Sequence, residues 1–148
     1  MQSSFEQQET QIREPILHGT ERILLVDDEE AIVFMEKQML ERLGYSVVSR
    51  TSSVEALEAF RAAPGKFDLV ITDMAMPNIS GDQLASELIK IRSDIPVVLC
   101  TGFSERMPEE RAKALGIKGF LMKPIVMKDL SKTIREVLDN KESSVQES

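Results

Sequence analysis

Five polar side chains stand at the ends of short apolar runs. Asp27 and Asp28 close Ile23-Leu24-Leu25-Val26, Asp73 closes the run begun by Leu69-Val70-Ile71, Thr101 closes that begun by Val97-Val98-Leu99, and Lys123 comes just after Phe120-Leu121. Three carboxylates supply hard oxygen ligands for a divalent cation. A hydroxyl and an ammonium supply donors to the oxygens of a phosphoryl group. Brought together, this set suits a cation and a phosphoryl group better than a structural surface.

Each residue alone has a plainer reading. Asp27-Asp28-Glu29-Glu30 could be a helix-start acid run interacting with the helix dipole for about 0.3–1 kcal/mol per charge. Asp73 could be a strand-end carboxylate at a turn, Thr101 a β-branched strand residue and Lys123 a solvated lysine. Their joint placement at four strand ends is what favours a common site.

The runs are β-branched and stop at polar residues, which is how buried parallel strands deliver side chains to one sheet edge. The pattern predicts strands at about 22–26, 46–50, 68–72, 95–100 and 118–121. The first helix, near 29–43, repeats Ile32, Met35, Met39 and Leu43 on one face and ends at Gly44. Capping boxes at Ser52-x-x-Glu55 and Ser80-x-x-Gln83 open the next two, and Leu84, Leu88 and Ile91 line the latter. A weakly amphipathic helix follows near 105–115, and a last one at 126–139 presents Val126, Leu130, Ile134 and Val137. Strands alternating with helices imply right-handed crossovers and an α/β, doubly wound parallel sheet. In such a sheet ligands sit beyond the carboxyl ends of the strands, where the five residues fall.

The 148 residues suffice for one domain with a full core. Residues 1–20 read as a polar leader or linker, 21–139 as the domain and 140–148 as a flexible, solvated tail. No apolar run approaches the roughly 20 residues of a membrane span, and the leader lacks the apolar stretch of a secretory signal. The single cysteine, Cys100, excludes an internal disulfide framework. A reducing cytoplasm is the expected setting, without membrane contact by this domain. The net charge of −7 repels phosphate backbones, so direct nucleic-acid binding is not expected. Cys100 reads as a buried apolar thiol and His18 as a solvated side chain in the leader.

From about Glu21 to Asp139 the chain resembles the receiver domains of two-component response regulators. The resemblance rests on Ile23-Leu24-Leu25-Val26-Asp27-Asp28-Glu29, on Asp73-Met74-Ala75-Met76-Pro77 with Gly81, on Thr101-Gly102 and on Lys123-Pro124, in that order. It implies a flavodoxin-like, five-stranded parallel sheet of order 2-1-3-4-5 with five helices. It implies that Asp73 is the phosphoacceptor, taking a phosphoryl group from the phosphohistidine of a histidine kinase or phosphotransfer protein. Mg²⁺ is the implied cofactor, with Asp28 and Asp73 as direct ligands, Asp27 through water and the Ala75 backbone carbonyl as a further ligand. Lys123 is implied to pair with phosphoryl oxygens and Thr101 to hydrogen-bond one of them. Thr101 and Phe120 are the implied switch pair, altering the helix 4, strand 5 and helix 5 surface, a face that also allows a homodimer. The bond before Pro124 is implied to be cis.

Two departures from the family pattern matter. Phe120 stands where many relatives carry tyrosine, so no hydroxyl reports the rotated state. The positions two after the acceptor and two after the threonine are Ala75 and Phe103, neither of which orients a hydrolytic water. A long-lived phosphoryl group is therefore expected.

A regulatory phosphoacceptor rather than an enzyme is the leading reading, either free-standing or as the C-terminal receiver of a hybrid histidine kinase, with the second slightly favoured. An Mg²⁺-dependent phosphohydrolase needs an acid two residues after its nucleophile, where this chain has Ala75. A flavodoxin-like cofactor module needs a Ser-, Thr- or Gly-rich phosphate loop after the first strand, where Asp27 to Glu30 repel phosphate. A degenerate receiver is disfavoured by the presence of all five site residues.

Overall fold

The computed structural model describes residues 16–102 and 107–147. Five strands, β1 (Arg22–Val26), β2 (Ser46–Arg50), β3 (Leu69–Asp73), β4 (Val97–Thr101) and β5 (Gly119–Met122), alternate with helices α1 (Glu30–Arg42), α2 (Ser53–Ala62), α3 (Gly81–Ile91), α4 (Glu109–Leu115) and α5 (Met127–Glu147). A short 3₁₀ turn at Pro64–Lys66 precedes β3. The sheet order is β2-β1-β3-β4-β5 and every neighbouring pair is parallel. The expected doubly wound α/β sheet of order 2-1-3-4-5 is what forms.

Alternation along each strand sorts the core onto two sheet faces. Leu24, Val26, Val70, Val97 and Leu99 pack with Ala56, Leu57 and Phe60 of α2, Leu84, Ala85 and Leu88 of α3, and Ala112 of α4. Ile23, Leu25, Leu69, Ile71, Val98 and Cys100 face Val33 and Leu40 of α1 and Leu130 and Ile134 of α5. Both faces being covered explains why β1, β3 and β4 read as continuous apolar runs.

Helix boundaries show the local chemistry. Gly44, at φ +103, ends α1 and donates to the Glu41 carbonyl. Ser52 caps α2 by accepting from the Glu55 N–H at 3.4 Å. At α3 the Ser80 N–H donates to Gln83 Oε1 at 3.3 Å, while Ser80 Oγ donates to Asp82 Oδ1 at 2.5 Å.

Three expectations are corrected. The buried face of α1 is Val33, Glu36 and Leu40, one position on from the predicted stripe, and Met35 is 43% exposed. Leu43 is buried as expected and Met39 packs against the same core, so the repeat misplaces only the first turns of the helix, where a carboxyl at 36 breaks it. Strand four starts at Val97, later than 95, and includes Thr101. The last helix runs from Met127 to Glu147, past its expected end at 139. The end of the leader is also tied down: the Gly19 N–H donates to the Leu43 carbonyl at 3.0 Å, and Arg135 of α5 holds Glu21 at 2.6 Å.

Gly81 lies against the backbone of Asp73, where a Cβ would meet the Asp73 carbonyl and the Leu99 side chain. Gly81→Ala is expected to cost about 1–3 kcal/mol through overpacking. A denaturant titration reads this, and an unchanged midpoint would show that the loop absorbs the methyl group.

Candidate functional site

The strand ends converge as parallel topology requires. Asp27 follows β1 directly, its N–H donating to the Arg50 carbonyl of β2 at 3.3 Å. The residue is 1% exposed, and Oδ1 accepts the Glu29 N–H at 3.0 Å, which turns the chain into α1. Asp28 is exposed. Asp73 is the last residue of β3 and 4% exposed. One carboxylate oxygen from each of Asp27, Asp28 and Asp73 lies within 4.8 Å of the others.

Lys123 reaches into this cluster from the end of β5. Its Nζ lies 2.7 Å from Asp73 Oδ1 and 3.2 Å from Asp27 Oδ2. Burial disfavours the ammonium, but the hydrogen bond to Asp73 and the negative charges of Asp27 and Asp73 outweigh it, so the lysine pKa is raised above its ordinary value. The Lys123 N–H donates to the Thr101 carbonyl, tying β5 to β4 beyond their paired ends. The Lys123–Pro124 peptide bond is cis. Thr101 is buried, and its hydroxyl donates to Met122 Sδ of the neighbouring strand at 3.5 Å.

The loop after β3 is built by two backbone bonds. The Met74 N–H donates to the Cys100 carbonyl at 2.9 Å, and the Gly81 N–H donates to the Met74 carbonyl at 2.8 Å. Ala75, just beyond, is exposed, as are Pro77 and Asn78, the latter at φ +70. Phe120 lies in β5 and is partly buried against the face shared with α2, α3 and α4. Phe103 lies outside the described residues. His18 is exposed. Cys100 is 2% exposed, and burial pushes its thiol pKa well up, so it is no ready nucleophile.

One group near the site escaped sequence reasoning. Glu36 of α1 is 5% exposed. Burial, with the charges of Asp27 and Asp73, raises its pKa from 4.5 to about 7 against the opposing effect of Lys123. A charged residue interrupting the α1 stripe was the only available signal.

Chemically, three carboxylates with one ammonium form an all-oxygen donor set without sulfur or imidazole, which fits a hard cation such as Mg²⁺ rather than a soft one. No helix among the described residues is long and apolar enough to cross a membrane.

Comparison with known proteins agrees with this architecture. The family pattern described as "Response regulator receiver domain" matches residues 23–135. The sensor kinase CckA of Brucella abortus (strain 2308) is 35% identical over 126 residues, covering 85% of this chain and 13% of that protein. The alkaline phosphatase synthesis transcriptional regulatory protein PhoP of Bacillus subtilis (strain 168) is 29% identical over 82% of this chain and 50% of its own. Both relatives extend well beyond the region that this chain matches. A receiver-domain structure from Clostridium thermocellum superposes with a TM-score of 0.78 at 34% identity, covering 83% of this chain and 98% of that one. The receiver domain of the hybrid histidine kinase CckA gives 0.66 at 30% identity, over 79% and 98%. The chain belongs to the receiver-domain family of two-component response regulators and hybrid kinases, and its role is that of a phosphoacceptor signalling domain.

Proposed function

We propose that Asp73 is the phosphoacceptor of this receiver and that Asp27, Asp28 and Asp73, with the Ala75 backbone carbonyl, hold Mg²⁺. The observation carrying this reading is the meeting of three carboxylate oxygens within 4.8 Å at the strand ends, with Lys123 in ion-pair reach of two of them. When bound, Mg²⁺ supplies positive charge that offsets the repulsion between a carboxylate nucleophile and an anionic phosphoryl group. In the transfer, an Asp73 carboxylate oxygen forms a bond to phosphorus as the phosphorus–nitrogen bond of a donor phosphohistidine breaks. The electron pair leaves with the imidazole nitrogen, which is then protonated. Lys123 moves from carboxylate to phosphoryl oxygens without leaving the site. The Thr101 hydroxyl turns from Met122 to a phosphoryl oxygen.

That turn draws the end of β4 inward and lets Phe120 rotate, changing the α4–β5–α5 face. Moving such a switch from about 1% to about 99% active takes roughly 5.5 kcal/mol of differential stabilisation. Charge-assisted bonds from Lys123 and a hydroxyl bond from Thr101 contribute to that total. A histidine kinase or a phosphotransfer protein is the donor, and the α4–β5–α5 face meets the output partner or a second copy of the chain. Similarity to sensor kinase CckA favours placement in a hybrid histidine kinase, acting in the cytoplasm. The domain accepts and slowly loses phosphate without turning over a substrate.

Labelling with acetyl phosphate tests the metal assignment. Phosphoryl uptake is expected with Mg²⁺ and to be lost in EDTA; equal uptake in both would overturn it. Ala75 offers no side chain to orient a hydrolytic water. Ala75→Asn is therefore expected to shorten the phosphoryl lifetime severalfold, read from decay of label after donor removal, and an unchanged lifetime would contradict this.

A further inference from the structure

Met122 combines exposure with contact to the switch hydroxyl. It is 42% exposed, and its Sδ accepts the hydrogen bond of Thr101 Oγ1 at 3.5 Å across the β4–β5 pair. Met35, on α1, is the other methionine among the exposed large hydrophobic side chains of the described residues. A thioether is a weak acceptor, so it holds the resting Thr101 rotamer lightly and releases it readily. A sulfoxide oxygen in the same place is a strong acceptor on a now polar side chain.

We propose that Met122 is an oxidative modification site at which peroxide uncouples phosphorylation from switching, its sulfoxide keeping the Thr101 hydroxyl from the phosphoryl group. This rests on the phosphoacceptor reading of the same site. The sulfur lone pair takes one oxygen of hydrogen peroxide and the oxygen–oxygen bond breaks. The departing hydroxide takes up the remaining proton and leaves as water. Sulfur loses two electrons and the peroxide gains them. Lys123 and the carboxylates are untouched, so phosphoryl uptake continues while its transmission fails. Exchanging a weak acceptor for an ordinary neutral one is expected to lower the switching equilibrium about fivefold.

The test uses the full chain before and after hydrogen peroxide, with sulfoxide at each methionine quantified by mass spectrometry. Acetyl phosphate and Mg²⁺ are then added. Phosphorylated fraction and the amide resonance shifts of Gly102 and Phe120 are measured on the same sample. The expected result is a severalfold smaller switched fraction per phosphoryl group, restored by methionine sulfoxide reductase. The peroxide effect should persist in Met35→Leu and vanish in Met122→Leu. Normal switching per phosphoryl after Met122 has oxidised overturns the inference, as does an equal peroxide effect in Met122→Leu. It is also overturned if Met122 resists conditions that oxidise Met35. Failure of the untreated chain to take up phosphate would instead strike the functional reading itself.

Discussion

Replacing Glu36 by glutamine is expected to stabilise the metal-free protein by about 3 kcal/mol near pH 8, and to change little below about pH 4.5. Glu36 is 5% exposed in α1, and its pKa is raised from 4.5 to about 7. The unfolded chain releases that proton as pH rises through about 4.5, while the folded chain retains it until about 7. Folded-state stability therefore falls across this window, and the full cost is present above it. At about 1.4 kcal/mol per pH unit, the interval sets the size of the effect. Glutamine keeps the shape without the charge and removes the loss.

Thermal denaturation should show it as a midpoint higher by about 10 °C at the alkaline end, given the size of the domain. Mg²⁺ at the three aspartates offsets the negative charges of Asp27 and Asp73 that contribute to the shift. The advantage of Glu36→Gln should then shrink when the metal is added. Equal midpoints for the two proteins at all pH values would show that Glu36 reaches water or a compensating partner.

Lys123→Met is the second large perturbation, and it acts in opposite directions on stability and metal binding. The ammonium offsets Asp27 and Asp73 at 3.2 and 2.7 Å, with the aspartate side chains almost fully buried and the lysine 24% exposed. Removing one partner of a buried pair costs about 3–5 kcal/mol, and solvent access at Lys123 places the expectation at the lower end or below, about 2–3 kcal/mol. The lysine contributes stability throughout neutral pH, because its raised pKa lets that contribution fade only as pH climbs beyond the ordinary value of 10.5. The same ammonium competes with any cation for these carboxylates. Its loss is expected to tighten Mg²⁺ binding about tenfold, an effect of about 1.4 kcal/mol. Titration calorimetry separates the two effects; weaker Mg²⁺ binding in Lys123→Met would contradict the competition.

The strand-end residues were legible in the sequence because parallel strands buried on both faces have only one place to become polar. That made Asp27, Asp73, Thr101 and Lys123 conspicuous, while the sheet order β2-β1-β3-β4-β5 was implied only by the resemblance to receiver domains. Glu36 was not legible. Its own charge removed it from the apolar repeat Ile32, Met35, Met39 and Leu43, and its burial comes from α1 packing beside the charged cluster rather than from local pattern. The contact between Thr101 and Met122 was equally hidden, since it depends on a register that pairs the two residues across β4 and β5. Helical continuation through 140–147 went unread because the polar, serine-bearing composition there carries no stripe.

The identity of the acceptor is tested most directly by trapping the acyl phosphate. After acetyl phosphate and Mg²⁺ treatment, borohydride reduces an aspartyl phosphate to homoserine, which peptide mass spectrometry locates in the chain. The expected product is homoserine at position 73 in the wild type and none at any position in Asp73→Asn. Homoserine at Asp27 or Asp28, or equal label in Asp73→Asn, would contradict the assignment of Asp73.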